Sequence, residues 1–179
     1  MNFKKTSLIL SLAGLVFIAT SSFAKTEKSF VADGDQCHQQ VKKGTILEMA
    51  KASGKFNTFL KALEVAGLME SMEQATGPIT VFAPTDDAFK LLTQSEIDEL
   101  LNNKEFLKDV LLYHVVDGRL SLKDATAREV VQSVEGDDLF FYRDEKGYSV
   151  NEARILCGDI EATNGIVHVI DYVLFPIIK

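Results

Sequence analysis

The sequence predicts an α+β fold in a single domain, and three observations predict it. Apolar residues recur at helical spacing, behind capping signals, through residues 45–113. β-Branched and aromatic stretches separated by turn residues take over after Val115. Asn164-Gly165 then stands between the last two stretches, as the favoured pair of a type I′ hairpin whose central residues need a positive φ. Helices first and strands afterwards, in one short chain, argue against an alternating parallel fold.

The first 24 residues read as a secretory signal. Lys4 and Lys5 precede an apolar run over 8–19, and Ser22-Phe23-Ala24 puts small residues at the two positions a signal peptidase reads. The run is too short to span a bilayer, and no later stretch reaches 18 apolar residues. Cleavage after Ala24 is expected, with export to the periplasm or beyond the cell and no membrane span afterwards. Residues 25–44 are polar and aperiodic, a leader ahead of the single domain expected over 45–179.

Within that domain Thr45 and Glu48 form a capping box, in which the hydroxyl accepts from a backbone N–H and the carboxylate reaches back. Gly54 ends that helix, and Phe56, Phe59, Leu60, Leu63 and Val65 mark a second one stopped by Gly67. Leu68, Met69 and Met72 suggest a further turn. Gly77-Pro78 then punctuates the chain before a strand at Ile79-Thr80-Val81-Phe82. Thr85 opens a helix with Asp86 and Asp87 at its positive end. Thr93 with Glu96 makes a second capping box, and a third helix in this group follows Asn103. Strands are expected at 130–131, 139–142, 148–150, 154–156 and 166–173. The last is apolar on both faces and so central.

The formal net charge is −7, and removal of residues 1–24 takes away two lysines and no acid. A surface that negative, with no compensating Lys/Arg stripe, argues against nucleic acid as a partner. Cys37 and Cys157 in an exported chain read first as a disulfide and second as two buried thiols. Neither belongs to a C-x-x-C pair, which argues against a redox enzyme or a zinc knuckle.

Three ordered blocks carry a resemblance. They are Thr80-Val81-Phe82-Ala83-Pro84-Thr85-Asp86-Asp87-Ala88-Phe89, then Tyr113-His114-Val115-Val116, then Asn164-Gly165-Ile166-Val167-His168-Val169-Ile170-Asp171, closing with Val173-Leu174-Phe175-Pro176. With them the chain resembles the fasciclin-type domain family over about 45–176. The resemblance implies a β-wedge or sandwich with short helices packed along one side, secretion or surface display, and a role in adhesion without enzymatic activity. It implies a protein, cell-surface or extracellular-matrix partner and no cofactor. Some secreted single-domain relatives resemble this chain in carrying a cysteine in each of the two places, which implies a Cys37–Cys157 bond. In some animal members the dipeptide corresponding to Asp159-Ile160 has been proposed as a receptor contact. Many members carry tandem domains or an anchor. Here one domain and no anchor are expected, and a lone module bridges two surfaces only with a second site or an oligomer.

Each candidate site also has a structural reading. His114 stands where a helix gives way to a strand and His168 lies mid-strand. Both read as satisfied core histidines rather than catalysts, because no Ser or Cys nucleophile pattern accompanies them. No spacing announces a metal site. Asp86 and Asp87 read as helix-end carboxylates, Asp159 as a strand-end tie and Ile160 as core. Two functions remain in competition: an interaction or adhesion module, and a small-molecule carrier with a cleft between helices and wedge. An exposed apolar patch favours the first and a closed apolar pocket the second.

Overall fold

The computed structural model describes residues 44–75 and 77–177. The expected signal peptide, nearly all of the leader and Cys37 lie outside the described residues. Within them the order is α1 (Ile46–Ser53), α2 (Asn57–Ala66), α3 (Met69–Glu73), β1 (Ile79–Pro84), α4 (Asp86–Phe89), α5 (Gln94–Asn102) and α6 (Lys104–Tyr113). There follow β2 (Val115–Asp117), α7 (Leu122–Arg128), β3 (Val130–Gln132), β4 (Asp138–Asp144), β5 (Gly147–Val150), β6 (Ala153–Ala162) and β7 (Gly165–Ile170). The fold is α+β, as expected.

Local chemistry explains the helix ends. Thr45 with Glu48 and Thr93 with Glu96 close capping boxes on α1 and α5, and the Asn103 side chain accepts from Phe106 N–H at the start of α6. Gly54 and Gly67 end α1 and α2 in the left-handed region, at φ 66° and 74°. The start of α2 is different, because Phe56 has no side-chain acceptor to offer. Asp86, 28 positions later at Thr58's amide, supplies one: Oδ1 accepts from Thr58 N–H at 2.7 Å and Oδ2 from Asn57 Nδ2 at 2.9 Å. One carboxylate thus begins α4 and caps α2.

The seven strands lie in the order β2-β1-β7-β6-β5-β4-β3. β1 and β7 run parallel, with Ile79 opposite Gly165 and Pro84 opposite Ile170, and every other pairing is antiparallel. The sheet curls until its two ends touch, Val134 N–H donating to Val115 O at 2.8 Å. Successive residues of β1 therefore feed two cores. Val81 and Ala83 pack with Leu47, Phe59, Leu63 and Val110 of the helices, while Phe82 packs with Leu139, Phe141, Val150 and Ile170 inside the curl. Each fully buried side chain of this size contributes roughly 1.5–3 kcal/mol.

The structure corrects several expectations. The hairpin at Asn164-Gly165 exists, since Ala162 pairs with Gly165 across a two-residue loop. It is not type I′: Thr163, Asn164 and Gly165 are all absent from the positive-φ residues among those described. Space requires the glycine instead, because a Cβ there would collide with the Ile79 carbonyl oxygen. Helix α7 interrupts the strand-rich half, where strands alone were expected. Strand β6 runs through Cys157 to Ala162 across two bulges, and β7 ends at Ile170, short of Val173. Val65 is half exposed and stands off the core face of α2.

Candidate functional site

Both core histidines are buried and bonded at both ring nitrogens. The Val110 carbonyl only accepts, so His114 carries its proton on Nδ1 (2.7 Å), and its Nε2 accepts from Leu174 N–H at 3.0 Å. His168 holds the opposite tautomer, donating from Nε2 to Leu120 O at 2.8 Å and accepting at Nδ1 from Asp159 N–H at 3.1 Å. Burial pushes His114 down to about 4, against the opposing pull of the Val110 carbonyl. Burial likewise lowers His168, with the Leu120 carbonyl and the Asp159 charge opposing. Two neutral rings with no spare nitrogen serve as ties between segments.

The remaining motif residues do comparable work. The buried Thr80 hydroxyl donates to Gly118 O and accepts from Leu120 N–H, so Leu120 is held by Thr80 and His168 together. Phe82 stacks on His168 with ring centroids 5.2 Å apart. Pro84 ends β1, Thr85 caps α4, and Phe89 packs against the helix-side core. Tyr113 donates its hydroxyl proton to Asp138 O and accepts from Asn151 Nδ2. Asn164 Oδ1 accepts from Ile46 N–H, and Asp171 Oδ1 accepts from Arg154 N–H. Asp86 is raised by its burial, but the hydrogen bonds from Thr58 and Asn57 outweigh that and hold it below the usual carboxylate range. Asp87 is exposed and pairs with Lys90 at 2.6 Å.

Asp159 and Ile160 face inward duties. Asp159 sits in the β6 bulge at φ 54° and accepts from Leu122 N–H at the start of α7, while Ile160 packs partly buried on the helix-side core. Cys157 is buried on β6. Its expected partner Cys37 lies outside the described residues. Among the described residues no group of three His, Cys, Asp or Glu is placed to hold a metal ion, and no helix is long and apolar enough to cross a membrane.

The outward chemistry lies elsewhere, at the end of the sheet. On β3 and β4 Val130 is opposite Phe140, and Tyr142 follows on the same outer face. They are 41%, 41% and 57% exposed, while Leu139 and Phe141, which alternate with Phe140 and Tyr142 along β4, are buried. The three residues border an open groove of about 500 Å³, completed by Thr126, Glu129, Phe141 and Arg143. Sequence reasoning did not single out this face. The signal was present: Leu139-Phe140-Phe141-Tyr142 is apolar at four successive positions, and a strand whose alternate residues fill a core must turn the others outward.

A family model described as Fasciclin domain matches residues 54–176. Protein sll1483 of Synechocystis sp. is 36% identical over 173 residues, 96% of this chain and 93% of its own length. Transforming growth factor-beta-induced protein ig-h3 of Sus scrofa is 37% identical over 133 residues, 74% of this chain but 19% of that longer protein. Among solved structures, a FAS1 domain pair from the insect cell adhesion molecule Fasciclin I has a TM-score of 0.61 at 19% identity. That match covers 76% of this chain and 51% of the other, and it is a likeness of fold.

Proposed function

This chain belongs to the fasciclin domain family, and from that premise we propose that it acts as an exported, non-enzymatic interaction module serving adhesion. The observation that carries the reading is the outward apolar face of Val130, Phe140 and Tyr142. Ordered aromatic side chains facing solvent beside a groove are a feature of protein contact surfaces. The groove is open, which supports a contact surface over the enclosed pocket a carrier needs. Fasciclin I, whose fold this chain shares, is described as a cell adhesion molecule, which supports a protein component of a cell surface or matrix as the partner. The Lys4-Lys5 start, the apolar run and Ser22-Phe23-Ala24 support export, with the mature chain beginning at Lys25.

Immobilised full chain should retain a defined protein from solubilised envelope and surface fractions with saturable binding. The Phe140→Ser/Tyr142→Ser double variant, with an unchanged melting temperature, should lose it. Retention of nothing saturable, or co-purification of a stoichiometric apolar small molecule, would overturn the reading. N-terminal sequencing of protein recovered outside the cytoplasm should begin at Lys25, and an intact Met1 there would rule out the cleavage.

A further inference from the structure

We propose that the groove beside β4 receives a short, uncharged, extended peptide segment that adds to the sheet where β3 stops. The inference rests on the interaction reading and names the chemistry of the partner.

The hydrogen-bond parity of β4 carries it. Phe140 offers both its backbone groups to Asn151: its N–H donates to Asn151 Oδ1 and its carbonyl accepts from Asn151 N–H. Alternate residues face the other way, and Phe141 N–H donates to Glu129 O at 2.8 Å on the β3 side. By the same alternation the N–H and carbonyl of Arg143 point to that side. Among the described residues no strand stands opposite Arg143, because the β3–β4 ladder ends at Val130 with Phe140. The chain has left the sheet there. Glu129, at φ 65°, ends α7 and turns into β3, so the chain beside the end of β4 is helix rather than strand, and Thr126 of that helix lines the open groove. A non-glycine residue held in that region is strained, and such residues gather at binding sites.

An occupant must satisfy a backbone donor and a backbone acceptor side by side, which is what one residue of an antiparallel strand presents. Its two neighbours would turn outward, toward Tyr142 and the rest of the Val130–Phe140 face. From Tyr142 to Asp144, where β4 ends, the strand advances about 7 Å and presents three residues to an occupant. Glu129 and Arg143 bring one charge of each sign to the groove, so it is locally neutral in a chain of net charge −7 and suits an uncharged segment. A second copy of this chain fits poorly. Three partly exposed side chains fall far short of the ~800 Å² each partner buries in a stable complex.

The probe is the blocked tripeptide acetyl-Val-Thr-Val-amide, titrated into the isotope-labelled full chain and followed through backbone amide resonances. Saturable shifts should concentrate at Val130, Phe141, Tyr142 and Arg143. N-methylation of the central residue should weaken binding at least about tenfold, since it removes the donor facing Arg143. Tyr142→Ser, at an exposed position, should weaken it severalfold with the fold intact. Absence of saturable shifts up to about 10 mM would overturn the proposal. So would equal binding of the N-methylated peptide, or the same shifts on raising protein concentration without peptide, which would assign the face to a second copy. If the double variant loses partner capture while the peptide fails to bind, the interaction reading stands and the peptide chemistry falls. If neither capture nor peptide binding is seen, both fall.

Discussion

Gly165 is fixed by its neighbour. The Ile79 carbonyl occupies the space where a Cβ would sit, because parallel β1 lies hard against the hairpin that begins β7. Gly165→Ala should therefore push two backbones apart and cost about 2–3 kcal/mol in urea unfolding. An unchanged midpoint would show that the hairpin shifts freely. The histidines set a pH limit instead. Unfolded, His114 titrates near 6.5, and folded it titrates at about 4, so the unfolded chain binds more protons between those values. Its contribution is complete above 6.5 and is lost as pH falls toward 4, by about 3 kcal/mol. His168 shifts in the same direction and adds to the loss. Urea midpoints should fall from pH 7 to pH 4.5, and the His114 ring protons should not titrate above about pH 5. A His114 titration midpoint near 6.5 in the folded chain would refute the buried neutral ring.

At the scale of elements, the helices that announce themselves by caps were legible, and those held by distant groups were legible only in part. Thr45 and Thr93 begin α1 and α5 with their own Glu partners three residues on. Phe56 begins α2 with nothing local, and the cap comes from Asp86 across the fold. Asp86→Ala should therefore fray α2, cost about 1 kcal/mol and speed hydrogen exchange at Thr58. Asp86→Asn keeps a neutral acceptor and should lose less. Equal exchange at Thr58 in wild type and the alanine variant would remove the capping role. Helix α7 went unseen although the Ser121 hydroxyl caps it, accepting from Asp124 N–H and donating to the Asp124 carboxylate. It is seven residues long, and β-branched stretches surround it. In β6 the left-handed Asp159 and the bulges break the alternation that marks a strand. Among site residues, the inward ties were readable from position, His114 where a helix gives way to a strand and His168 in the middle of an apolar strand. The outward Phe140 and Tyr142 were not, because which face of β4 meets solvent depends on where the curl closes.

For the molecule as a whole, the proposed Cys37–Cys157 bond would tie the polar leader to β6. It would close a loop of about 120 residues, worth up to ~5 kcal/mol by restricting the unfolded chain. Reduction of exported protein should lower its melting temperature, and thiol titration before reduction should find no reactive cysteine. One reactive thiol per cysteine would remove the staple. The parallel pairing of β1 with β7 has a further consequence, which concerns time. Strand β7 fills the slot between β1 and β6, so the sheet cannot close until residues 165–170 have been made. A chain with so many contacts between distant segments folds slowly, and its early half waits with apolar faces uncovered. Until β7 has been made the chain cannot take its folded form, and the unfolded form is the one in which a polypeptide passes through a narrow membrane pore.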